Sequence, residues 1–185
     1  MILSSVMQST IMRFRADVTI MAFMAAATVM LFVTPLINPE GRFSGLDGSV
    51  GYIDHLELWS GTDPVTFITY FLGDMFCPQI ESRSFILNGN QMAFCGRDVS
   101  IALGLLIGSS CSVLTGRVPS LRTSVIFCLI SSVLMMTDWC IQHFMSVDCM
   151  ATRVVTGLLF GASVSILACA LFSDRDMKGD RQNNN

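Results

Sequence analysis

Apolar residues fall into four long runs separated by polar breaks. The first covers 18–37, between Asp17 and Pro39, and the second covers 99–116, between Asp98 and Arg117. The third begins at 123 and meets Asp138. The fourth covers 154–173, between Arg153 and Asp174. A spanning helix needs roughly 20 mainly apolar residues, so the first, second and fourth runs qualify directly. From Thr123 to Thr137 the third is too short at about 1.5 Å per residue. It must continue through Asp138, Trp139 and Cys140, which puts Asp138 and Gln142 one turn apart on one face.

The connection 38–98 has a different pattern. Its first part, "NPEGRFSGLDGSVG", is rich in turn formers and offers little to bury. Asp63-Pro64 then supplies an N-cap followed by proline at the first helical position. The helix this predicts, about 64–76, is apolar but too short to span, and reads as interfacial or re-entrant. It delivers Cys77 and a polar segment to the mouth of the bundle. The expected fold is all-α: an integral membrane helical bundle with four transmembrane helices, at 18–37, 99–116, 123–140 and 154–173, plus that one extra helix. Residues 18–173 form a single transmembrane domain, flanked by an N-terminal segment 1–17 and a solvated, unstructured tail 174–185.

Composition agrees. The chain is 52% hydrophobic and 14% charged, with a mean hydropathy of +0.60. A soluble domain carries about 25% charged residues. A net charge of −3 without a basic run argues against nucleic acid as partner. Arg13 and Arg15 ahead of the first run resemble the start of a secretory signal, but that run exceeds the usual h-region, so it reads as an uncleaved anchor. The positive-inside rule sets orientation. With the N-terminus cytoplasmic, the inner segments hold Arg13, Arg15, Arg117, Arg122, Arg175, Lys178 and Arg181. The outer ones hold only Arg42, Arg83, Arg97 and Arg153. A cell-membrane protein with both termini in the cytoplasm is expected.

Two GxxxG motifs stand out, Gly104 to Gly108 and Gly157 to Gly161. Small residues at this spacing let helix backbones approach closely. The motifs pack either against each other within the chain or between copies in a homo-oligomer.

The candidate chemistry gathers at the outer mouth. An ionisable residue at the depth of Asp138 is a site candidate by default, with Arg153, Arg97 and Arg83 as partners. The plainer reading is an ion pair that fixes helix register. Three arginines could instead converge on an anion, since guanidinium forks match phosphate and carboxylate, with Gln79, Ser84 and Gln142 completing the pocket. Glu81, Asp98 and Asp138 could equally neutralise them. Of the seven cysteines, Cys111, Cys128 and Cys169 read as small buried hydrophobes. Cys77, Cys95, Cys140 and Cys149 map to the outer side, where a Cys77–Cys95 disulfide would contribute about 3 kcal/mol. A metal site from Cys77 and Cys95 with Asp98 or His143 is the competing use. His55 reads as solvated, and His143 with Trp139 as interfacial.

Taken together, Cys77, Gln79, Glu81, Arg83, Ser84, Phe85, Gly89, Met92, Cys95, Arg97 and Gly104, then Asp138, Gln142, Arg153, Thr156 and Gly157, form a recognisable set. It resembles a widespread family of small multi-pass membrane proteins of unknown function in archaea and bacteria, over roughly Phe76 to Gly161. That pattern reads Cys-His-Gln, then Arg-Ser-Phe, then Cys-x-Arg-Cys, then Asp-Gly-x-x-Gln and Arg-x-x-Thr-Gly. The resemblance implies three cysteines and a histidine able to bind zinc. The chain departs at Pro78, in place of the histidine, and at Asp98, in place of the last cysteine, which weakens that implication.

Two functional readings follow. The leading one is a non-catalytic membrane protein whose mouth binds a lipid headgroup, a small anion or a partner subunit through Gln79, Glu81, Arg83, Ser84, Arg97, Asp98, Asp138, Gln142 and Arg153. The other is a thiol oxidoreductase coupled to a membrane quinone, or a metalloprotein, built on Cys77 and Cys95 with zinc as the implied ion.

Overall fold

The computed structural model describes residues 2–145 and 148–183, with side-chain environments for residues 18–145 and 148–172. The side chains of Arg13, Arg15, Arg175, Lys178 and Arg181, used above for orientation, lie outside the described residues. Four long helices make the bundle: α1 (Ile2–Ile37), α4 (Gly96–Thr115), α5 (Leu121–Phe144) and α6 (Met150–Asn183). Each carries a stretch long and apolar enough to cross a membrane, at Val18–Ile37, Gly96–Thr115, Leu121–Phe144 and Met150–Phe172. Between α1 and α4 come a short helix α2 (Leu56–Trp59), α3 (Pro64–Phe76), and a hairpin of β1 (Ser84–Leu87) and β2 (Asn90–Cys95).

The bundle interior is made of small and polar residues. Ser100, Ser109, Ser112, Ser124, Ser131, Ser163 and Ser165 are buried, while Val125, Ile126, Leu129, Ile130 and Val133 face outward. This inversion follows from the solvent. Lipid is as apolar as leucine, so helices gain by close backbone approach and interhelical hydrogen bonds rather than by hiding leucines. The two GxxxG motifs face each other within one chain. A Cβ on Gly161 would stand 2.2 Å from the Ile101 carbonyl oxygen, and one on Gly104 would stand 2.4 Å from that of Leu158. α4 and α6 run parallel and form the most extensive helix pair. Both motifs thus lie in this contact within the chain.

Above the bundle, residues 38–95 form a cap with an interior of the opposite kind. Phe43, Leu46, Trp59, Tyr70 and Ala93 are fully buried together. Phe43 and Tyr70 rings lie 4.2 Å apart, and Trp59 stacks on Tyr70 at 5.5 Å. The expectation that 38–51 buries little is therefore corrected, because Phe43 and Leu46 anchor it. Side chains of the hairpin take over its backbone groups. Asn90 accepts from the Phe43 N–H and donates to the Pro35 carbonyl, and Gln91 accepts from the Leu46 N–H. His55, expected to be solvated, is packed on Trp59 with Nδ1 3.5 Å from the buried Asp74 carboxylate.

α3 starts as its sequence demands, with the Asp63 carboxylate accepting the N–H groups of Val65 and Thr66 ahead of the proline. Its inward face carries Thr66, Thr69, Tyr70, Gly73 and Asp74, and its outward face carries Val65, Ile68, Leu72 and Phe76. An apolar outward face reverses the usual surface helix. The hairpin was not anticipated. It turns on Asn88 and Gly89, at φ 53° and 69°, with Leu87 opposite Asn90. A two-residue Asn-Gly loop suits the twist of paired strands. The tail expected to be unstructured from 174 instead continues α6 as helix to Asn183.

Candidate functional site

The mouth is where the cap meets the starts of α4 and α6 and the end of α5. The hairpin positions the cap's share. Ser84 pairs with Cys95, so Arg83, just before β1, comes alongside the head of α4, and Gly96 packs at close range against Met150 at the head of α6. From the bundle, Arg97 projects from the first turn of α4, Asp138 and Gln142 from the last turns of α5, and Arg153 from the first turn of α6.

These groups form one continuous network. The Arg97 guanidinium donates to Asp138 Oδ2 at 2.7 Å. Gln142 donates to Asp138 Oδ1 at 2.8 Å and to Thr152 Oγ1 at 2.9 Å. The same amide accepts from Arg153 Nε, and Arg153 also pairs with Asp148. Asp148 in turn lies 3.1 Å from Arg83 Nε. Asp138 and Gln142 thus share a face as their spacing predicted, and the partner of Asp138 is Arg97. Charge-assisted contacts of this length are the strong kind, and here they tie α4, α5, α6 and the cap together.

Arg83, Arg97 and Arg153 line one cleft of ≈160 Å³, with Cys95, Gln142 and His143 in the same wall. Trp139 and His143 stack in parallel at 5.1 Å along it. No carboxylate belongs to that lining. Asp138 and Asp148 pair with the arginines without joining that lining, and among the described residues Arg97 Nε is buried without a hydrogen-bond acceptor. Three guanidinium charges against two carboxylates leave the cleft electropositive, and buried donors without partners are costly to leave so.

Other expected residues go elsewhere. Gln79 is fully buried in the cap, donating to the Ala93 carbonyl. Ser84 is buried and bonds to Ile80. Glu81 is exposed in a single helical turn. Asp98 does not pair with an arginine but accepts from Cys95 Sγ at 3.0 Å. Asp148 was missed, although an acidic residue ahead of the α6 start, five positions before Arg153, was a usable signal.

Cys77 and Cys95 are thiols, so the expected disulfide is corrected. Cys140 and Cys149 are free as well. The Cys77 and Cys95 sulfurs and an Asp98 oxygen nevertheless lie within 4.8 Å of one another. The Cys95 N–H donates to Cys77 Sγ at 3.2 Å. The hydrogen bond with Cys95, and after it burial, pushes the Cys77 thiol well above its ordinary range. His143 is in the cleft and not in this group.

Residues 77–167 match the model of a family described as a predicted membrane protein (DUF2085). The match begins at Cys77 and takes in all three arginines of the cleft, both carboxylates behind them and the thiol–carboxylate group. It agrees with the expectation of a membrane protein family of unknown function. No curated protein and no solved structure matches the chain.

Proposed function

We propose that this membrane protein binds a small anionic group, phosphate or carboxylate, in the three-arginine cleft, as a recognition site without chemistry of its own. One observation carries the reading: three guanidinium groups converge on a cleft whose wall has no carboxylate, with Arg97 Nε buried and lacking an acceptor. An incoming oxyanion supplies that acceptor and the missing charge, and the forked geometry of arginine suits it. On this reading both termini are cytoplasmic and the mouth faces outward at headgroup depth, in keeping with the distribution of basic residues. The anion then comes from a lipid headgroup or from free solute.

The test is thermal unfolding of the detergent-solubilised protein with inorganic phosphate, short-chain phosphatidylglycerol or short-chain phosphatidylcholine. Ligand at a hundred times its Kd stabilises by about 2.7 kcal/mol, enough for a clear rise in Tm. A rise with phosphate alone assigns a free anion, and a rise only with phosphatidylglycerol assigns a headgroup. Arg83→Gln, at the half-exposed edge of the cleft, removes either rise. If none of the three probes raises Tm, or Arg83→Gln responds like the parent, the reading is wrong.

A further inference from the structure

A second group of donors lies at the seam between cap and bundle, chemically distinct from the arginine cleft. Cys77 closes α3, Cys95 ends β2 as the N-cap of α4, and Asp98 follows in the first turn of α4. Their convergence is fixed by backbone. α3 packs so closely on β2 that a Cβ on Gly73 would stand 2.1 Å from the Ala93 carbonyl oxygen. This seats Cys77 beside Cys95. β2 then runs directly into α4, bringing Asp98 one turn below Cys95.

The plainest account is two thiols filling a gap next to a helix-start carboxylate. It leaves a difficulty. Cys77 is almost fully buried, and among the described residues the one partner of the Asp98 carboxylate is the Cys95 thiol. Three groups that become anionic on ionisation are thus gathered at one point, one of them buried and two half-buried, with no side-chain cation on Asp98. What balances such a set most simply is a cation held by all three.

We infer that Cys77 Sγ, Cys95 Sγ and an Asp98 carboxylate oxygen form a binding site for a zinc-class divalent cation. The donor chemistry fits, since two thiolates and one carboxylate suit Zn²⁺ and disfavour Mg²⁺ or Ca²⁺. The separations fit as well. Two sulfurs about 2.3 Å from a tetrahedral zinc stand about 3.8 Å apart, so donors within 4.8 Å close on an ion by a shift of an ångström or less. The Cys95 N–H aimed at Cys77 Sγ is the kind of outer hydrogen bond that steadies a metal thiolate. The N-terminus of α4 adds its positive dipole end beside Cys95 and Asp98. Pro78, next to Cys77, offers no donor. Three protein donors leave a fourth position for water or an anion, the count found in open rather than closed zinc sites. Cys95 is shared with the wall of the arginine cleft, which links the two sites without making either depend on the other.

The full chain is purified in detergent under reducing conditions, stripped with chelator, and titrated with Zn²⁺ or with Co²⁺ as its spectroscopic stand-in. The expected result is about one bound equivalent with a thiolate-to-cobalt charge-transfer band. Asp98→Asn should weaken binding by about tenfold or more, and Cys77→Ser should remove most of the band. A serine variant can fail to fold, so alkylation of the unmodified protein is the independent readout: zinc must protect the partly exposed Cys95. Arg83→Gln should keep its zinc while losing the anion response, which separates this inference from the anion reading. Any of three outcomes overturns it: substoichiometric metal without the band, Cys95 reacting equally with and without zinc, or a Cys77–Cys95 disulfide in protein isolated without reductant. The last would assign the pair to thiol redox chemistry instead.

Discussion

The bundle and the cap are built on opposite rules, and the candidate site lies on the seam between them. In the bundle the interior is glycine and serine, with the large apolar side chains turned outward. In the cap, Phe43, Trp59 and Tyr70 are hidden and the chain wraps around them as in a water-soluble domain. One sequence therefore satisfies two solvents. Where the two meet, polar groups are hidden from lipid by the cap and from water by the bundle. Arg83, Cys77 and Cys95 come from the cap side, and Arg97, Asp138, Gln142 and Arg153 from the helices. Neither part makes the site alone.

The comparison breaks most visibly at Trp59. Trp59→Ala removes a fully buried aromatic side chain and should cost about 3–5 kcal/mol. The loss should be confined to the cap. Of the chain's two tryptophans this variant keeps only Trp139, whose fluorescence then reports the cleft during denaturation in detergent. An early change in Trp139 emission, before helicity falls, is the expected signature of a cap that unfolds first. A single coincident transition would show cap and bundle to be one cooperative unit.

In the bundle the equivalent change adds an atom instead of removing a ring. Gly161→Ala puts a Cβ 2.2 Å from the Ile101 carbonyl oxygen, a backbone atom that cannot swing away. The helices must separate, at about 1–3 kcal/mol. Gly61→Ala in the cap is the control. Its Cβ meets nothing nearer than Arg42 Nη2 at 3.9 Å, and its melting curve should overlay that of the parent.

How much of this was legible follows the same division. The spans and the Asp63-Pro64 helix start could be read because lipid imposes simple rules of length and polarity, whereas the two glycine motifs left packing within the chain and between copies equally open. The cap could not, because its interior is assembled from distant residues. Phe43 and Leu46 lie in a stretch full of glycine whose backbone is tied down from far along the chain. Asn90 and Gln91, more than forty positions on, accept the N–H groups of Phe43 and Leu46, and the Pro78 and Met75 carbonyls accept those of Gly48 and Gly51. The hairpin was within reach, since Asn88-Gly89 between apolar residues is a strong turn signal. The arginines and Asp138 stood out because charge in a greasy chain is conspicuous. Gln79 was misassigned on the same reasoning. A polar side chain near the mouth looked like a ligand group, yet it serves to satisfy a buried carbonyl.

A smaller effect is expected at Asp63. Thr66, through its hydroxyl and then its N–H, holds the Asp63 carboxyl below its ordinary value. The folded pKa is thus lower than the unfolded one, near 3.9. The carboxylate's contribution is complete above that value and disappears as pH falls through the folded pKa. Asp63→Ala should cost about 1 kcal/mol at neutral pH and little at strongly acidic pH. A cost that stays constant down the acid limb of a pH–Tm series would show that shape rather than charge makes the cap.

The finest difference tests the contrast directly, by removing one hydroxyl from each region. In the bundle, Ser131 and Ser163 hydroxyls meet at 2.6 Å between α5 and α6, but each also bonds a carbonyl of its own helix, Cys128 and Phe160 respectively. After Ser131→Ala, Ser163 keeps that second acceptor, so the cost should fall near the 0.6 kcal/mol average for interhelical pairs in membranes, about half a hydrogen bond in water. In the cap, the Tyr70 hydroxyl donates at 2.7 Å to the Gln91 carbonyl inside the core. Tyr70→Phe leaves that carbonyl without this donor where water cannot replace it, and should cost about 1–3 kcal/mol. Chemical denaturation of the two variants in one detergent sets them side by side. Should Ser131→Ala prove the more damaging, the bundle would depend on its serines as specific fasteners, and close backbone packing through glycine would lose its place as the main force holding these helices together.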